Sequence, residues 1–327
     1  MSYTTERRLA IAAVTRACNL CRAVQQGLVA DDTVTKRDRS PVTVADFGSQ
    51  AVVNHVLREG LPGDAVLSEE DAGQLRDPAN AAVRERVVDH VRRVLGACSA
   101  DEVLALIDHC GPSDARRLWA LDPIDGTKGF LRREQFAVAL GLVENGRVVL
   151  GVLGCPNLPC DPADPRSGTG CLFIAARGGG TVMRRLDDGR ETPVRVSGVT
   201  DPAAVVFCES VESAHTAHSW SGRVAEELGV RAEPLRMDSQ CKYAAVARGD
   251  ATAYLRLPTR PDYEERLWDH AAGLVVVTEA GGTVTDINGA ALDVTAGPTL
   301  ARNRGVVASN SAVHQALLDA IAAARGS

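Results

Sequence analysis

The chain has few aromatic side chains and no surplus of basic ones. Phe, Trp and Tyr make up 4% of the residues, and 36 Lys and Arg stand against 42 Asp and Glu, so that the net charge is −6. A protein that binds nucleic acid without sequence preference uses a net basic surface, and one that binds single strands uses exposed rings for stacking. We therefore expect no nucleic-acid partner, and a small molecule fits this composition better as the substrate.

Long apolar runs are also lacking, since stretches such as 274–277 fall far short of the ~20 residues that a membrane span needs. The nine cysteines are an odd number, and no charged and then apolar leader opens the chain. We expect reduced thiols, a cytoplasmic location and no membrane partner. Cys18 and Cys21 form a C-x-x-C within helical apolar spacing, which predicts a buried helix face. The seven histidines form no H-E-x-x-H and no close Cys/His cluster, which speaks against a zinc site.

A length of 327 residues with 45% hydrophobic side chains is enough for two domains or one large layered unit. Many short strand patterns precede residue 200, and helices and strands alternate after it. This order predicts an α+β fold of sandwiched layers, with domains at 1–199 and 200–327. The predicted helices are 6–28, 46–57, 84–95, 99–107, 221–228, 242–247 and 271–280. The predicted strands are 66–68, 118–121, 136–143, 148–154, 171–176, 181–184, 194–196, 204–208, 253–257 and 283–286.

Acidic side chains are concentrated where the strand 118–121 ends. Asp-Pro-Ile-Asp-Gly-Thr follows directly, and Pro123 is expected to end regular strand pairing. Two carboxylates this close repel each other, and a bound cation relieves that repulsion. Oxygen ligands without His or Cys suit Mg²⁺, so Asp122, Asp125 and the carbonyl of Ile124 are candidate ligands. An exposed acidic turn without a metal is the alternative interpretation.

Two further acids also follow strand-like segments, namely Glu69 and Asp269. The three blocks in order, Glu-Glu after a strand, Asp-Pro-Ile-Asp-Gly-Thr and Trp-Asp before a helix, resemble those of the inositol monophosphatase-like superfamily of magnesium-dependent, lithium-sensitive phosphatases. Within it the chain is most similar to the 3′(2′),5′-bisphosphate nucleotidases, on motifs at 36–46, 119–131, 154–158, 238–243, 254–258 and 268–273.

The resemblance implies a layered α-β-α-β-α sandwich of the inositol monophosphatase and fructose-1,6-bisphosphatase type. It also implies a metal-dependent phosphomonoesterase that hydrolyses 3′-phosphoadenosine 5′-phosphate to AMP and phosphate, with 3′-phosphoadenylyl sulfate as a second candidate substrate and sulfur metabolism as the setting. A phosphatase of the same fold for inositol phosphates or other sugar or nucleoside phosphates stays open, as does a non-catalytic nucleotide sensor. The oligomeric state has no sequence signal.

For the metals, the resemblance implies two or three Mg²⁺ ions. Glu69, Asp122 and the carbonyl of Ile124 are the implied ligands of the ion that holds the attacking water. Asp122, Asp125 and Asp269 are those of the ion that faces the leaving oxygen. Asp122 thus bridges the two ions.

For water activation, the resemblance implies that Asp46 accepts from the hydroxyl of Thr127, which accepts from the water. Gly126 and Thr127 offer backbone N–H groups to the phosphate. The alternative for Asp46 is a purely structural helix N-cap.

For the substrate, Ser239, Lys242 and Arg256 match positions that bind the second phosphate and the nucleotide, and His215 is a weaker candidate for contacting the base. Lys36 is the residue of a possible lid over residues 31–40 that best reaches phosphate. The alternatives are a surface charge on a strand for Arg256 and an ordinary solvated loop around Lys36.

The chain departs from the family pattern at two places. Arg133 stands where the family usually has Gly, and the stretch 215–218 reads His-Thr-Ala-His instead of the more usual His-Ser-x-His-Asp.

Overall fold

The computed structural model describes residues 3–27, 33–35, 41–211, 218–260 and 262–325. Its α-helices are interspersed with strands. The helices are α1 (Thr4–Gln26), α2 (Val44–Gly60), α3 (Ala81–Leu95), α4 (Ala100–Ile107), α5 (Thr127–Leu131), α6 (His218–Leu228), α7 (Cys241–Arg248), α8 (Ala271–Glu279) and α9 (His314–Arg325). In the part of the chain that the structure describes, a run of strands without an α-helix lies between α5 and α6. None of these helices is long and apolar enough to cross a membrane.

The strands form two large sheets and a two-stranded ribbon. They are β1 (Thr33–Thr35), β2 (Pro41–Thr43), β3 (Ala65–Ser68), β4 (Arg117–Asp125), β5 (Ala137–Glu144), β6 (Arg147–Pro159), β7 (Thr169–Ala176), β8 (Thr181–Arg185), β9 (Glu191–Val194), β10 (Phe207–Glu209), β11 (Leu235–Arg236), β12 (Ala253–Arg256), β13 (Gly282–Thr285) and β14 (Val306–Asn310).

The first large sheet has the order β3-β4-β5-β6-β7-β8-β9, and the second has the order β11-β10-β12-β14-β13. In the first sheet only β3 and β4 are parallel, and the other neighbours are antiparallel. The second sheet is mixed, because β10 runs parallel to β11 and β12 while β14 runs antiparallel to its neighbours.

The helices cover both faces of the two sheets. Helices α1 and α2 pack on one face of the first sheet, α7 and α8 lie between the two sheets, and α6 and α9 cover the far face of the second. Three apolar cores separate these layers. The predicted α-β-α-β-α sandwich is confirmed. The first sheet ends at residue 194 and the second begins at 207, while the domain boundary near residue 200 stays a prediction.

Local turn signals in the sequence correspond to the structure. Asn145 and Gly146 have positive φ and join β5 to β6, as a tight hairpin requires. The triple glycine at 178–180 is likewise the turn between β7 and β8, where Glu279 accepts from the N–H groups of Gly178 and Gly180. These glycines form a hairpin turn, as predicted.

Most cysteines behave as core side chains, since seven of the nine are buried, Cys98 is half-buried and Cys110 is exposed. All nine are free thiols, and Cys18 and Cys21 lie fully buried on α1. Burial raises the pKa of both thiols far above the usual range. The interpretation of C-x-x-C as a buried helix face is confirmed.

Three expectations from the sequence are wrong. Strand β4 does not stop before Pro123 but continues to Asp125. The strand expected at 204–208 is replaced by a 3-10 turn followed by β10, and that at 194–196 lies earlier as β9. The prediction also missed β11, β14 and α9. Since all five residues of β14 are buried, it shows no alternation of apolar and polar side chains.

Candidate active site

The strand end that carries the acids contains a β-bulge. Asp122 pairs with Ala139 and Asp125 pairs with Ala137, so three steps on β4 match two on β5. Without the extra residue, alternation would send the two side chains to opposite faces. The bulge, with Pro123 inside it, turns both carboxylates toward the same side. Pro123 therefore contributes to the site by its position in the bulge rather than by ending the strand.

Asp122 is a buried carboxylate, 2% exposed, whose Oδ1 has no hydrogen-bond partner among the described residues. Burial raises its pKa well above the usual range, and the negative charge of Glu69 raises it further. Asp125 and Asp269 act in the same direction. An unsatisfied buried oxygen within a group of acids is costly unless a cation is present, so the residues fit a divalent ion with oxygen ligands.

The other expected ligands lie around Asp122. Glu69 follows β3, which is parallel to β4, and its N–H donates to the carbonyl of Leu121 at 3.2 Å. Parallel strands bring their carboxyl ends to one edge. The pKa of Asp269, which lies just before α8, is also raised by burial. Together with Ile124, these side chains line one pocket of about 810 Å³.

Asp46 has two roles in the structure. One oxygen, Oδ2, accepts from the backbone N–H and the hydroxyl of Thr43, at 2.8 and 2.6 Å. This is a capping box, in which Thr43 is the N-cap and Asp46 the third helical residue. The expected N-cap position of Asp46 is therefore wrong. Its other oxygen, Oδ1, lies 3.3 Å from the hydroxyl of Thr127.

Gly126 opens the short helix α5 in a left-handed conformation, with φ +87°. A Cβ at this position would lie 3.0 Å from the Cβ of Ser239. Both the backbone conformation and the close approach to Ser239 favour glycine. Residues 126–129, at the start of α5, line the pocket beside the acids. Thr127 Oγ1 lies between Asp46 and the carbonyl of Ile124, 3.4 Å away.

The opposite wall of the pocket carries cations. Lys242 on α7 is 4% exposed, its Nζ donates to the carbonyl of Met237 at 3.3 Å and it lies 5.2 Å from the ring centre of Tyr254. Burial lowers its pKa. Ser239 precedes α7 with φ +67°, and both it and Lys242 line the pocket with the acids.

Arg256 ends β12 inside the pocket wall, where its side chain is 11% exposed. Its guanidinium lies 2.7 Å from Glu265, 3.1 Å from Asp269 and 3.2 Å from the hydroxyl of Tyr263. The interpretation of Arg256 as a surface charge is wrong. The sequence also gave no reason to expect that two carboxylates share this guanidinium.

Two residues near the acids were missed by the sequence reasoning. The N–H of Gln240 donates to Asp125 Oδ2 at 2.7 Å, and its side chain donates to the carbonyl of Trp268 at 2.9 Å. Glu265 is 2% exposed beside Arg256. Gln240 lies within the motif 238–243, so that motif held the signal, whereas Glu265 had none.

Glu265, Asp269 and His270 also bring one ligand atom each within 4.8 Å of one another. Glu265, however, pairs with Arg256 and accepts from His270 Nε2 at 3.1 Å. A cationic guanidinium at this distance opposes a divalent ion, so we interpret the group as an ion-paired cluster. Asp269 alone faces the acids of β4.

Two of the candidate residues from the sequence, His215 and Lys36, lie outside the described residues. Arg133 has φ +61°, a conformation that glycine adopts without strain, which gives a physical reason for the glycine that the family usually has there.

Comparison with known proteins adds relatives over nearly the whole chain. The model of the inositol monophosphatase family matches residues 3–326. The chain is 44% identical to a 3′(2′),5′-bisphosphate nucleotidase of Emericella nidulans, covering 98% of each, and 41% identical to one of Schizosaccharomyces pombe, covering 99% of this chain and 96% of the relative.

Solved structures share the fold at lower identity. An inositol monophosphatase from Anabaena has a TM-score of 0.63 at 22% identity, covering 99% of this chain and 97% of its own. An extragenic suppressor protein suhB from Bartonella henselae has a TM-score of 0.67 at 20% identity, with coverages of 96% and 97%. These likenesses show the fold.

Proposed function

This chain belongs to the inositol monophosphatase family, and from that premise we propose that it is a metal-dependent phosphatase that hydrolyses 3′-phosphoadenosine 5′-phosphate to AMP and phosphate. The names of its relatives support the reaction. One observation carries the assignment: the pocket joins a wall of acids around Asp122 to a wall with Lys242 and Arg256. A substrate with one phosphate to cleave and one to retain suits both walls.

The acids hold Mg²⁺, with two or three ions in the pocket. Glu69, Asp122, Asp125, Asp269 and the carbonyl of Ile124 are its ligands, and the unsatisfied Oδ1 of Asp122 supports the assignment. When bound, Mg²⁺ supplies charge neutralisation for the phosphoryl group during transfer. Inhibition by Li⁺ belongs to the same proposal.

The proton of the attacking water passes to the pair formed by Thr127 and Asp46. The Thr127 hydroxyl lies 3.3 Å from Asp46 Oδ1, and donation to this carboxylate leaves an oxygen lone pair for the water. Asp46 is held by Thr43 through its other oxygen. Its free rotation is therefore restricted, which keeps the acceptor in place for proton transfer.

The retained phosphate contacts the opposite wall. Lys242 supplies a buried positive charge, Ser239 a hydroxyl and Arg256 a guanidinium, while the N–H groups after Gly126 face the phosphate that is cleaved. His215 near the base and Lys36 on a lid stay predictions, as do activity on 3′-phosphoadenylyl sulfate, a role in sulfur metabolism and the cytoplasmic location.

The experiment that tests the proposal is phosphate release from a substrate panel. It contains 3′-phosphoadenosine 5′-phosphate, AMP, inositol 1-phosphate and fructose 1,6-bisphosphate, each with Mg²⁺ and with excess chelator. We expect hydrolysis of the first substrate to dominate and to stop in chelator. A higher kcat/KM for inositol 1-phosphate would overturn the substrate assignment. Full activity in excess chelator would overturn the proposed metal dependence.

A further inference from the structure

A buried chain of polar contacts runs from the space between the sheets to the pocket. The Tyr243 hydroxyl lies 2.7 Å from His270 Nδ1, and His270 Nε2 lies 3.1 Å from Glu265. Glu265 lies 2.7 Å from Arg256, whose guanidinium reaches Asp269 at 3.1 Å. The first three side chains are each 1–2% exposed. This series of contacts therefore ends at Asp269, the last of the expected metal ligands along the sequence.

The directions of these contacts follow from an ionised Glu265 and a neutral imidazole at His270. An ionised Glu265 only accepts, so the imidazole of His270 donates to it from Nε2. Neutral imidazole then accepts at Nδ1 from the Tyr243 hydroxyl. His270, itself held by Tyr243, thus contacts the Glu265 oxygen, Oε2, that also lies 2.7 Å from the Arg256 guanidinium.

The arrangement places one positive charge between two negative ones. A guanidinium paired with Asp269 alone would offset the charge with which Asp269 binds a cation. Glu265 is a second carboxylate on the same guanidinium and lies away from the acids of β4. The negative charge of Asp269 therefore stays available to a divalent ion.

We propose that Glu265, held by His270 and Tyr243, is a positioning residue that neutralises Arg256 and so keeps Asp269 competent to bind a divalent cation. This inference rests on the proposed function, because it takes Asp269 as a cation ligand. It adds a residue that does not itself touch the substrate or the ion.

The experiment measures binding of Mn²⁺ alone by electron paramagnetic resonance of the free ion, because carboxylate sites accept Mn²⁺ as well as Mg²⁺. Asp269→Asn identifies the Mn²⁺ sites that depend on Asp269. Glu265→Gln is expected to weaken the same sites about 10- to 100-fold, as loss of an outer-shell partner does. Glu226→Gln is the matched control, since it makes the same change on an exposed residue of α6 that does not line the pocket, and its Mn²⁺ binding should equal that of the parent.

The double variant Glu265→Gln/Arg256→Gln distinguishes an electrostatic role of Glu265 from a role in supporting the fold. If Glu265 acts by offsetting Arg256, removing both charges restores Mn²⁺ binding to within about 3-fold of the parent. If Glu265 only supports the fold, the double variant binds as weakly as the single one or more weakly, which overturns the proposal. Should Glu265→Gln not fold, the double variant decides alone, because it leaves neither Arg256 nor Glu265 as the unpaired half of their buried ion pair.

The two proposals fail in different ways. A parent that binds Mn²⁺ while Glu265→Gln binds it equally well overturns the positioning role and leaves the phosphatase assignment intact. A parent that binds no Mn²⁺ overturns both.

Discussion

The two walls of the pocket are built in different ways. The acid wall, residues 122–127 with Asp46, comes mostly from one contiguous segment where β4 turns into α5. The cationic wall, Lys242 and Arg256 with Glu265 and Asp269, comes from α7, the end of β12 and the loop before α8. The first wall is a local structure fixed by a strand, a bulge and a glycine. The second exists only once these three segments have come together.

The two walls also differ in how their charges are compensated. On the acid wall, carboxylates face one another and Asp122 Oδ1 has no partner among the described residues. On the cationic wall, Arg256 is shared between two carboxylates. The acid wall therefore carries negative charges that repel one another, whereas much of the charge on the cationic wall is neutralised within the protein.

The largest effect is expected from breaking the acid wall at Asp122. Asp122→Asn should lower kcat by about 10³-fold or more, since it touches both implied ions and metal ions contribute several kcal/mol. The measurement is phosphate release at saturating Mg²⁺, together with thermal melting with and without Mg²⁺. The parent should gain melting temperature on adding Mg²⁺, and the variant should gain less. An active Asp122→Asn would remove this residue from the metal site.

The next effect concerns Asp46 and Thr127, which the structure distinguishes. Thr127→Ala should lower kcat on the order of 10²-fold with little change in melting temperature. Asp46→Asn should lower kcat similarly and also cost about 0.5–2 kcal/mol of stability, because Asp46 closes the capping box of α2.

A matched control for this pair lies on α4. Ser99 and Glu102 form the same capping box there, outside the pocket. Glu102→Gln should lower stability without lowering kcat. If Asp46→Asn behaves like Glu102→Gln, capping is the whole role of Asp46.

Substitution on the cationic wall should cost less and should depend on the substrate. Lys242→Met is expected to lower kcat/KM for 3′-phosphoadenosine 5′-phosphate about 10- to 100-fold, since a charged contact contributes roughly 1.5–3 kcal/mol. Arg256→Met should change it less by direct contact, because two carboxylates already share its charge.

Inositol 1-phosphate serves as the internal control for both variants, because it has no second phosphate to lose. The ratio of the two kcat/KM values should fall for Lys242→Met. A constant ratio would show that Lys242 acts on the reacting phosphate or on folding, and the division of the walls into cleaving and retaining sides would be wrong.

The smallest effect is expected at Arg133, just after α5. Arg133→Gly removes the strain of a positive φ, which stabilises the folded state. It also raises the conformational entropy of the unfolded chain, which lowers the free energy of unfolding. We expect a stability change within about 1 kcal/mol and unchanged kcat, measured by thermal melting and phosphate release. A large loss of activity would show that the Arg133 side chain, and not the turn, contributes to the acid wall.

The sequence by itself determined those parts of the molecule that are specified by residues close together along the chain. Helical and strand patterns predicted most elements, and the order of three acidic blocks indicated the family and the set of expected site residues. Such signals lie within a few residues of one another, so they are readable without knowing what packs against them. The described members of that set, from Asp46 to Asp269, all lie around one pocket or directly behind it.

Only the tertiary structure decided how these side chains face one another. The bulge that aligns Asp122 with Asp125 depends on pairing with β5, and Pro123 alone suggested the opposite, an end to the strand. The charge of Arg256 depends on Glu265 and Asp269, and Glu265 is held by His270 and through it by Tyr243 on another helix. Contacts between segments so far apart along the chain follow from packing of the layers, because no short stretch of sequence specifies which buried charge will meet which.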